Sequence, residues 1–485
     1  MIKQFFLGLL LGLTATAEKP NIIYILADDL GYGDISSLGQ KHFKTPHIDK
    51  LKAGGKFFSN HYSGSTVCAP SRSALMTGLH TGHTYVRGNR EIKPEGQTPI
   101  PDGELLLPEI LKDAGYVSGA FGKWGLGYPG SEGDPLNQGF DVFYGYNCQR
   151  LGHHYYPYHL WDNEKKVMLD ENAGEAKGVY APELIHDRTL KFMEDHKEKP
   201  FFLYVASIIP HADLAAPEAY MEKFRGKFKE VKSYKGVDSG PRLRQGPYQS
   251  QKEPRAAFAA MVTLLDDQVG EIVAKCEELG IADKTLIIFT SDNGAHQEGG
   301  ADPKFFDSNG LNRGHKRDLY EGGVHVPMIA YWPGKIAAGS ESGHISAFWD
   351  MVPTFTEMAG LPAPEKTDGI SMVASLTGQG EQVEHPYLYW EFHERGGRIA
   401  VRMGKWKGVR YNVLSKPNAM MELYDLEADP GERENLAKGN PEVVDRILKI
   451  MKSARTDSEI FQFKQGKGKG KSKGKVKVKA KIKGR

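Results

Sequence analysis

Cysteine is scarce in this sequence: Cys68, Cys148 and Cys276 are the only three among 485 residues. An odd number cannot all pair, so a scaffold knit throughout by disulfides is excluded, although Cys148 and Cys276 remain free either to bridge or to stay reduced. Long hydrophobic runs are scarcer still. Beyond Leu13 no stretch approaches the length that spans a bilayer, and no transmembrane span is expected. Acidic residues are missing altogether from the final stretch KQGKGKGKSKGKVKVKAKIKGR, Lys464 to Arg485, which carries ten lysines and one arginine. Alternating Lys and Gly cannot bury a core. The segment reads as a solvated, disordered tail or as a contact for polyanions. Because the whole chain carries a net charge of only +2, the rest of it is acidic.

The N-terminus, MIKQFFLGLLLGLTATAEKP, has a basic start at Lys3, an apolar run from Phe5 to Leu13, and Ala15-Thr16-Ala17. That order reads as a secretory signal peptide over 1–17, with export to the periplasm or outside. In that setting the tail's polyanion is a sulfated polysaccharide or an anionic envelope rather than nucleic acid. With 40% hydrophobic and 26% charged residues, the remainder has the balance of a soluble globular protein.

Four apolar runs end on polar residues. Asn21 to Ala27 leads into Asp28 and Asp29. Tyr116 to Phe121 leads into Gly122 and Lys123. Phe201 to Ser207 is soon followed by His211, and Leu286 to Thr290 by Ser291, Asp292 and Asn293. Runs apolar on both faces suggest strands of a parallel sheet covered by helices. Leu105 to Ala114 and Ala256 to Leu279 carry helical spacing and stop at Gly115 and Gly280; the second places Cys276 on its apolar face, as a core residue. The fold class is therefore α/β, and in such sheets ligands bind beyond the carboxyl ends of the strands. After about residue 385 the runs Tyr387 to Phe392, Arg398 to Met403, Trp406 to Tyr411 and Met421 to Leu426 read as a small antiparallel sheet, with a helix from Pro441 to about Ala454. The expected organisation is a signal peptide at 1–17, a catalytic domain at 18–384, a C-terminal α+β subdomain at 385–463 and the tail at 464–485.

Asp28, Asp29, Asp292 and Asn293 offer hard oxygen ligands with no matching Cys or His set, which favours calcium or magnesium over zinc. In TVCAPSR, Pro70 suits the first turn of a helix ended by Gly78. Cys68 then lies at the helix's positive end, where a thiol is acidified, with Arg72 one turn on and its guanidinium free for a tetrahedral oxyanion.

CAPSR followed by SALMTG resembles the Cys-x-Pro-x-Arg pattern of the type I, formylglycine-dependent sulfatases of the alkaline phosphatase superfamily. The resemblance also runs through NIIYILADDLGYGD, TPHIDKLKAGGKFFSNHY, GYVSGAFGKWGLG, TSDNGAH and YEGGVHVPMIAYWPG, in family order over roughly residues 20 to 430. It implies a large, mostly parallel sheet flanked by helices, and sulfuric ester hydrolysis. It also implies that a maturation enzyme converts Cys68 to formylglycine, whose hydrate attacks sulfur. Carried over, Asp28, Asp29, Asp292 and Asn293 hold Ca2+ together with residue 68. Arg72 stabilises the hydrate, Lys123 and Lys316 bind sulfate oxygens, and His211 protonates the leaving alcohol. A sulfated carbohydrate is the expected substrate, and an aryl sulfate the other form of ester.

Two departures stand out. GKWGLG has Gly125 where the family commonly has a histidine that contacts the formylglycine hydroxyl; His153 and His154, in CQRLGHHYYPYHLW, are the candidates to replace it. YEGGVHVP has His325 where arginine is frequent. The tyrosines near 155, Trp161 and Trp390 are candidates to stack on a sugar, and Arg87 to contact a polar substrate. Two alternatives are a phosphatase or phosphodiesterase of the same superfamily, which calls for a Ser or Thr nucleophile and a two-metal set, and an unmodified glycan-binding protein.

Overall fold

Seven consecutive buried residues, Asn21–Ala27, form the strand on which everything else is laid. The computed structural model describes residues 19–230 and 233–462; the expected signal peptide and the basic tail lie outside them. Asn21–Ala27 pairs in parallel with Phe201–Ala206 on one side and Thr285–Ser291 on the other. Val117–Lys123 and Val142–Tyr146 continue the parallel run beyond Phe201–Ala206. Antiparallel strands close both flanks, Met328–Tyr331 beside Thr285–Ser291 and His159–Asp162 beside Val142–Tyr146. Lys56–Phe58, Ser340–Ser342 and Lys165–Met168 complete a ten-stranded sheet.

Alternation along the first strand explains the two covered faces. Ile23, Ile25 and Ala27 point into one apolar layer, shared with Ile185 and Met193 of the helix Ala181–His196 and with the apolar side of Pro254–Glu278. Ile22, Tyr24 and Leu26 point into the other, with helices Cys68–Thr77, Leu107–Asp113 and Met351–Met358. Each fully buried Ile or Leu contributes about 1.5–3 kcal/mol. Cys276 is in the first layer, as expected, and all three cysteines are buried and unpaired.

The small antiparallel sheet runs Leu388–Phe392, Arg398–Met403, Trp406–Tyr411, Glu422–Asp425. Leu388, Trp390, Phe392, Ala400 and Val409 pack on Tyr62, Val67 and Ala74 of the main body. Tyr389, Val401 and Leu423 face the other way, against Ile447 and Met451 of the helix Pro441–Ser453. The second sheet thus presses on the segment that carries Cys68. No helix among the described residues is long and apolar enough to cross a membrane.

Candidate active site

In-register pairing brings the strand ends level. Ala27 pairs with Ser291, Leu26 with Ala206, and Ala206 with Gly122, so Asp28, Asp292 and Lys123 leave the sheet at one edge. The helix Cys68–Thr77 points its first residue at that edge; Val67 is extended before it, and Gly78 ends it at φ +70°. Ligating atoms of Asp28, Asp29, Cys68 and His211 all lie within 4.8 Å of one another.

The charges are paired closely. Asp28 accepts from Lys123 Nζ at 2.6 Å, and Asp29 from Lys316 Nζ at 2.7 Å and from Asn293 Nδ2 at 2.7 Å. Asp292 accepts from Arg72 Nη2 at 2.9 Å and from the Asp29 backbone N–H at 3.1 Å. Burial works to raise Asp28, but the charges of Lys123, Arg72 and Lys316 outweigh it and hold its carboxyl well below the usual range. Asp292 goes the other way, pushed up to about 7 by burial and by the Asp28 carboxylate. Three carboxylates crowded in a buried place repel one another, and the Oδ1 of Asn293 is buried there without a partner among the described residues. A hard divalent cation answers both facts. Asp28, Asp29, Asp292 and Asn293 are the oxygen donors that would fit such a cation.

Several expectations need correction. Cys68 is not an acidified thiol: it is 2% exposed, and burial followed by the Asp28 carboxylate pushes its pKa up despite Lys123 and Lys316. Its Sγ lies 3.3 Å from Asp28 Oδ1 and 3.4 Å from Lys123 Nζ. The guanidinium of Arg72 is not free either. It is fully buried, bonded to Asp292 and to the carbonyl of Lys123, so it braces two strand ends. Arg87 does not reach the site; it is buried against Glu391 Oε1 at 3.1 Å and the Thr456 carbonyl at 2.8 Å. His154 is turned away too, with Nδ1 at 2.9 Å from Asp213 and Nε2 accepting from the Gly246 N–H at 2.9 Å. Trp390 and Tyr155 are core residues, and the Trp161 indole donates to Glu95 Oε1 at 2.7 Å. His325 fills its place by packing: its ring stacks on Tyr62 and its Nε2 lies 2.8 Å from the Ser59 carbonyl.

His153 does enter the site. Its ring stacks on His211 with centroids 4.3 Å apart and planes at 8°. Burial first, then Lys316, keeps His211 well below its ordinary pKa, and burial with His211 does the same to His153. The two rings are thus neutral. His211 Nδ1 faces the Ala212 carbonyl, and its Nε2 accepts from Lys316 Nζ at 2.9 Å.

Cys68, His153, His211 and Lys316 open onto one cavity of about 760 Å³. Its mouth carries Lys93, Arg150, Lys235, Arg242 and Arg317, against the acids Glu91 and Glu298. Arg150 pairs with Glu91 and Arg317 with Glu298. These mouth residues, with Gln149 and Tyr248, were not singled out from the sequence. They come from loops far apart in the chain and carry no motif.

The topology and its site at the carboxyl edge of the strands are those of the alkaline phosphatase fold. The solved structure of Ps i-CgsB in complex with k-i-k-neocarrahexaose superposes with a TM-score of 0.74 at 28% identity, covering 90% of this chain and 93% of that one. Within this class the chain belongs to the sulfatase family. The family described as Sulfatase matches residues 20–361, and N-sulphoglucosamine sulphohydrolase, C-terminal, matches 313–457. N-acetylgalactosamine-6-sulfatase of Sus scrofa is 31% identical, over 91% of this chain and 86% of its own length. Arylsulfatase A of Homo sapiens is 32% identical, over 93% and 89%. The protein is a sulfuric ester hydrolase.

Proposed function

We propose that the chain is an exported sulfatase that removes sulfate from a sulfated carbohydrate, using residue 68 as formylglycine and a bound calcium ion. The observation that carries this reading is Cys68 itself: a buried thiol 3.3 Å from Asp28 Oδ1 and 3.4 Å from Lys123 Nζ, lining the cavity, with its pKa pushed up by burial. A thiol held protonated is a poor nucleophile. Conversion to formylglycine would supply an aldehyde hydrate there, and calcium, which Asp28, Asp29, Asp292 and Asn293 would hold, would supply charge to polarise it and the sulfate.

The chain's own residues do the rest. Lys123 and Lys316 are buried ammonium groups beside Asp28 and Asp29, suited to the charge that develops on sulfate oxygens. Arg72 keeps Asp292 and the end of Val117–Lys123 in place. When Lys316 turns to the sulfate, Nε2 of His211 loses its donor; protonated there, it is placed to deliver a proton to the leaving alcohol. His153, stacked on His211, is the candidate for proton removal where Gly125 leaves no imidazole.

Carbohydrate as substrate is supported by the size and charge of the cavity. Lys93, Lys235 and Arg242 line its mouth without an ion-pair partner among the described residues. Such a rim suits a polyanionic glycan, and the relatives named above include a sulfatase of an amino sugar. The basic tail is a tether to sulfated polysaccharide or envelope. The catalytic domain then spans 18–384 and the α+β subdomain 385–463. A sulfate-release assay on monosulfated sugars tests the reading. Full-length protein co-produced with a formylglycine-generating enzyme is expected to release sulfate, and Cys68→Ala to lose at least about 10³-fold, as for loss of a covalent nucleophile. A calcium chelator is expected to abolish turnover and calcium to restore it. Equal activity of Cys68→Ala would overturn the proposal.

A further inference from the structure

Gly125 lies at φ +84°, a backbone state that side chains rarely adopt, and its N–H donates to the Asn147 carbonyl at 3.1 Å. A Cβ placed on it would meet Gln149 Nε2 at 1.7 Å and Gln149 Cδ at 2.6 Å. The amide of Gln149 therefore occupies the root of the side chain that position 125 lacks. In the resembling family that side chain is the histidine beside the nucleophile. Gln149 is 5% exposed and lines the cavity that holds Cys68, His153, His211 and Lys316. Neither its Nε2 nor its Oε1 has a hydrogen-bond partner among the described residues. A buried primary amide left unpaired costs about 1–3 kcal/mol, so its place is explained if a ligand completes it.

We infer that Gln149 is a specificity-determining residue whose amide hydrogen-bonds a hydroxyl of the sugar that carries the scissile sulfate. The inference rests on the sulfatase reading above. The chemistry of the group decides between sulfate and sugar. Sulfate oxygens only accept, and Lys123 and Lys316 already serve them; Oε1 beside them would repel. A hydroxyl both donates and accepts, which matches an amide with Oε1 and Nε2 open together. An amide does not titrate near neutrality, so Gln149 replaces the position of the missing imidazole without replacing its proton chemistry. The contact to the formylglycine hydroxyl that the resemblance gives to that histidine falls to His153, while Gln149 uses the vacated space for substrate selection.

The test compares wild type with Gln149→Ala and the near-isosteric Gln149→Leu on two probes. One is the best substrate among monosulfated N-acetylgalactosamine, N-acetylglucosamine, galactose and fucose. The other is nitrophenyl sulfate, which has no sugar hydroxyl. The expected result is a loss of about 10- to 100-fold in kcat/KM on the sugar, the scale of one unmet buried hydrogen bond. On nitrophenyl sulfate, kcat/KM and inhibition by inorganic sulfate are expected within about twofold of wild type, at equal formylglycine content and melting temperature. The shape of the pH profile is expected to be kept. Equal losses on both probes, no loss on the sugar, or a wild type that accepts only nitrophenyl sulfate would overturn the assignment of Gln149. A wild type that releases sulfate from no probe contradicts the sulfatase reading itself, and this inference with it.

Discussion

At the scale of single residues, Gly125 and Gln149 form a pair in which each permits the other. Alanine at 125 would bring Cβ within 1.7 Å of Gln149 Nε2 and would also carry a side chain at φ +84°. The backbone strain alone is about 1–2 kcal/mol. Gly125→Ala is therefore expected to destabilise the fold by about 2–3 kcal/mol, and less so in a Gln149→Ala background, where only the strain remains. Urea denaturation of the four proteins in the cycle measures the coupling. Strictly additive effects would show that the amide does not occupy that space. Cys68 carries the complementary lesson. A helix start is expected to acidify a thiol, yet complete burial and the neighbouring Asp28 carboxylate outweigh it.

At the scale of elements, the small C-terminal sheet is tied to the catalytic body by buried charge. Glu391, on Leu388–Phe392, receives Arg87 from the main body and Arg455 from the C-terminal segment. Burial opposes its ionisation, but hydrogen bonds from His393 and Arg455, with the charges of His393 and Arg87, hold it at about 2. A depressed carboxyl stabilises the folded state above its unfolded pKa of about 4.5 and loses that contribution as pH falls toward 2. Wild-type stability is thus expected to decline on acidification from pH 5 to pH 3 more steeply than that of Glu391→Gln. Parallel slopes in urea midpoints would contradict the role given to this cluster.

The same cluster shows what the sequence conveyed. Asn21–Ala27 was legible to the residue because a strand buried on both faces has no polar position to blur its ends. Pro254–Glu278, Arg398–Met403 and Trp406–Tyr411 were legible from period and turn residues, and the gathering of Asp28, Asp29, Asp292 and Asn293 from their place at strand ends. Arg87 was not. It looks like a loop cation, and only Glu391, 304 positions away, decides that it is buried. His154 next to His153 is the same case, separated from its neighbour by Asp213 and Gly246. Local pattern fixes elements; long-range pairing decides which polar side chains face the cavity.

At the scale of the whole molecule, charge is divided between an acidic body and a basic tail of ten lysines and one arginine. If the tail is a tether, deleting 464–485 is expected to lower the salt needed to elute the protein from immobilised heparin, with kcat/KM on a monosulfated sugar unchanged. Counterion release makes such contacts steeply salt-dependent. Unchanged elution would leave the tail without a polyanion. The central claim concerns residue 68 of the folded molecule, since carboxylates, lysines and the helix Cys68–Thr77 all converge on it. Mass spectrometry of the tryptic peptide Phe57–Arg72 from the native host tests it most directly. The account predicts an aldehyde at position 68; an unmodified cysteine throughout would contradict it.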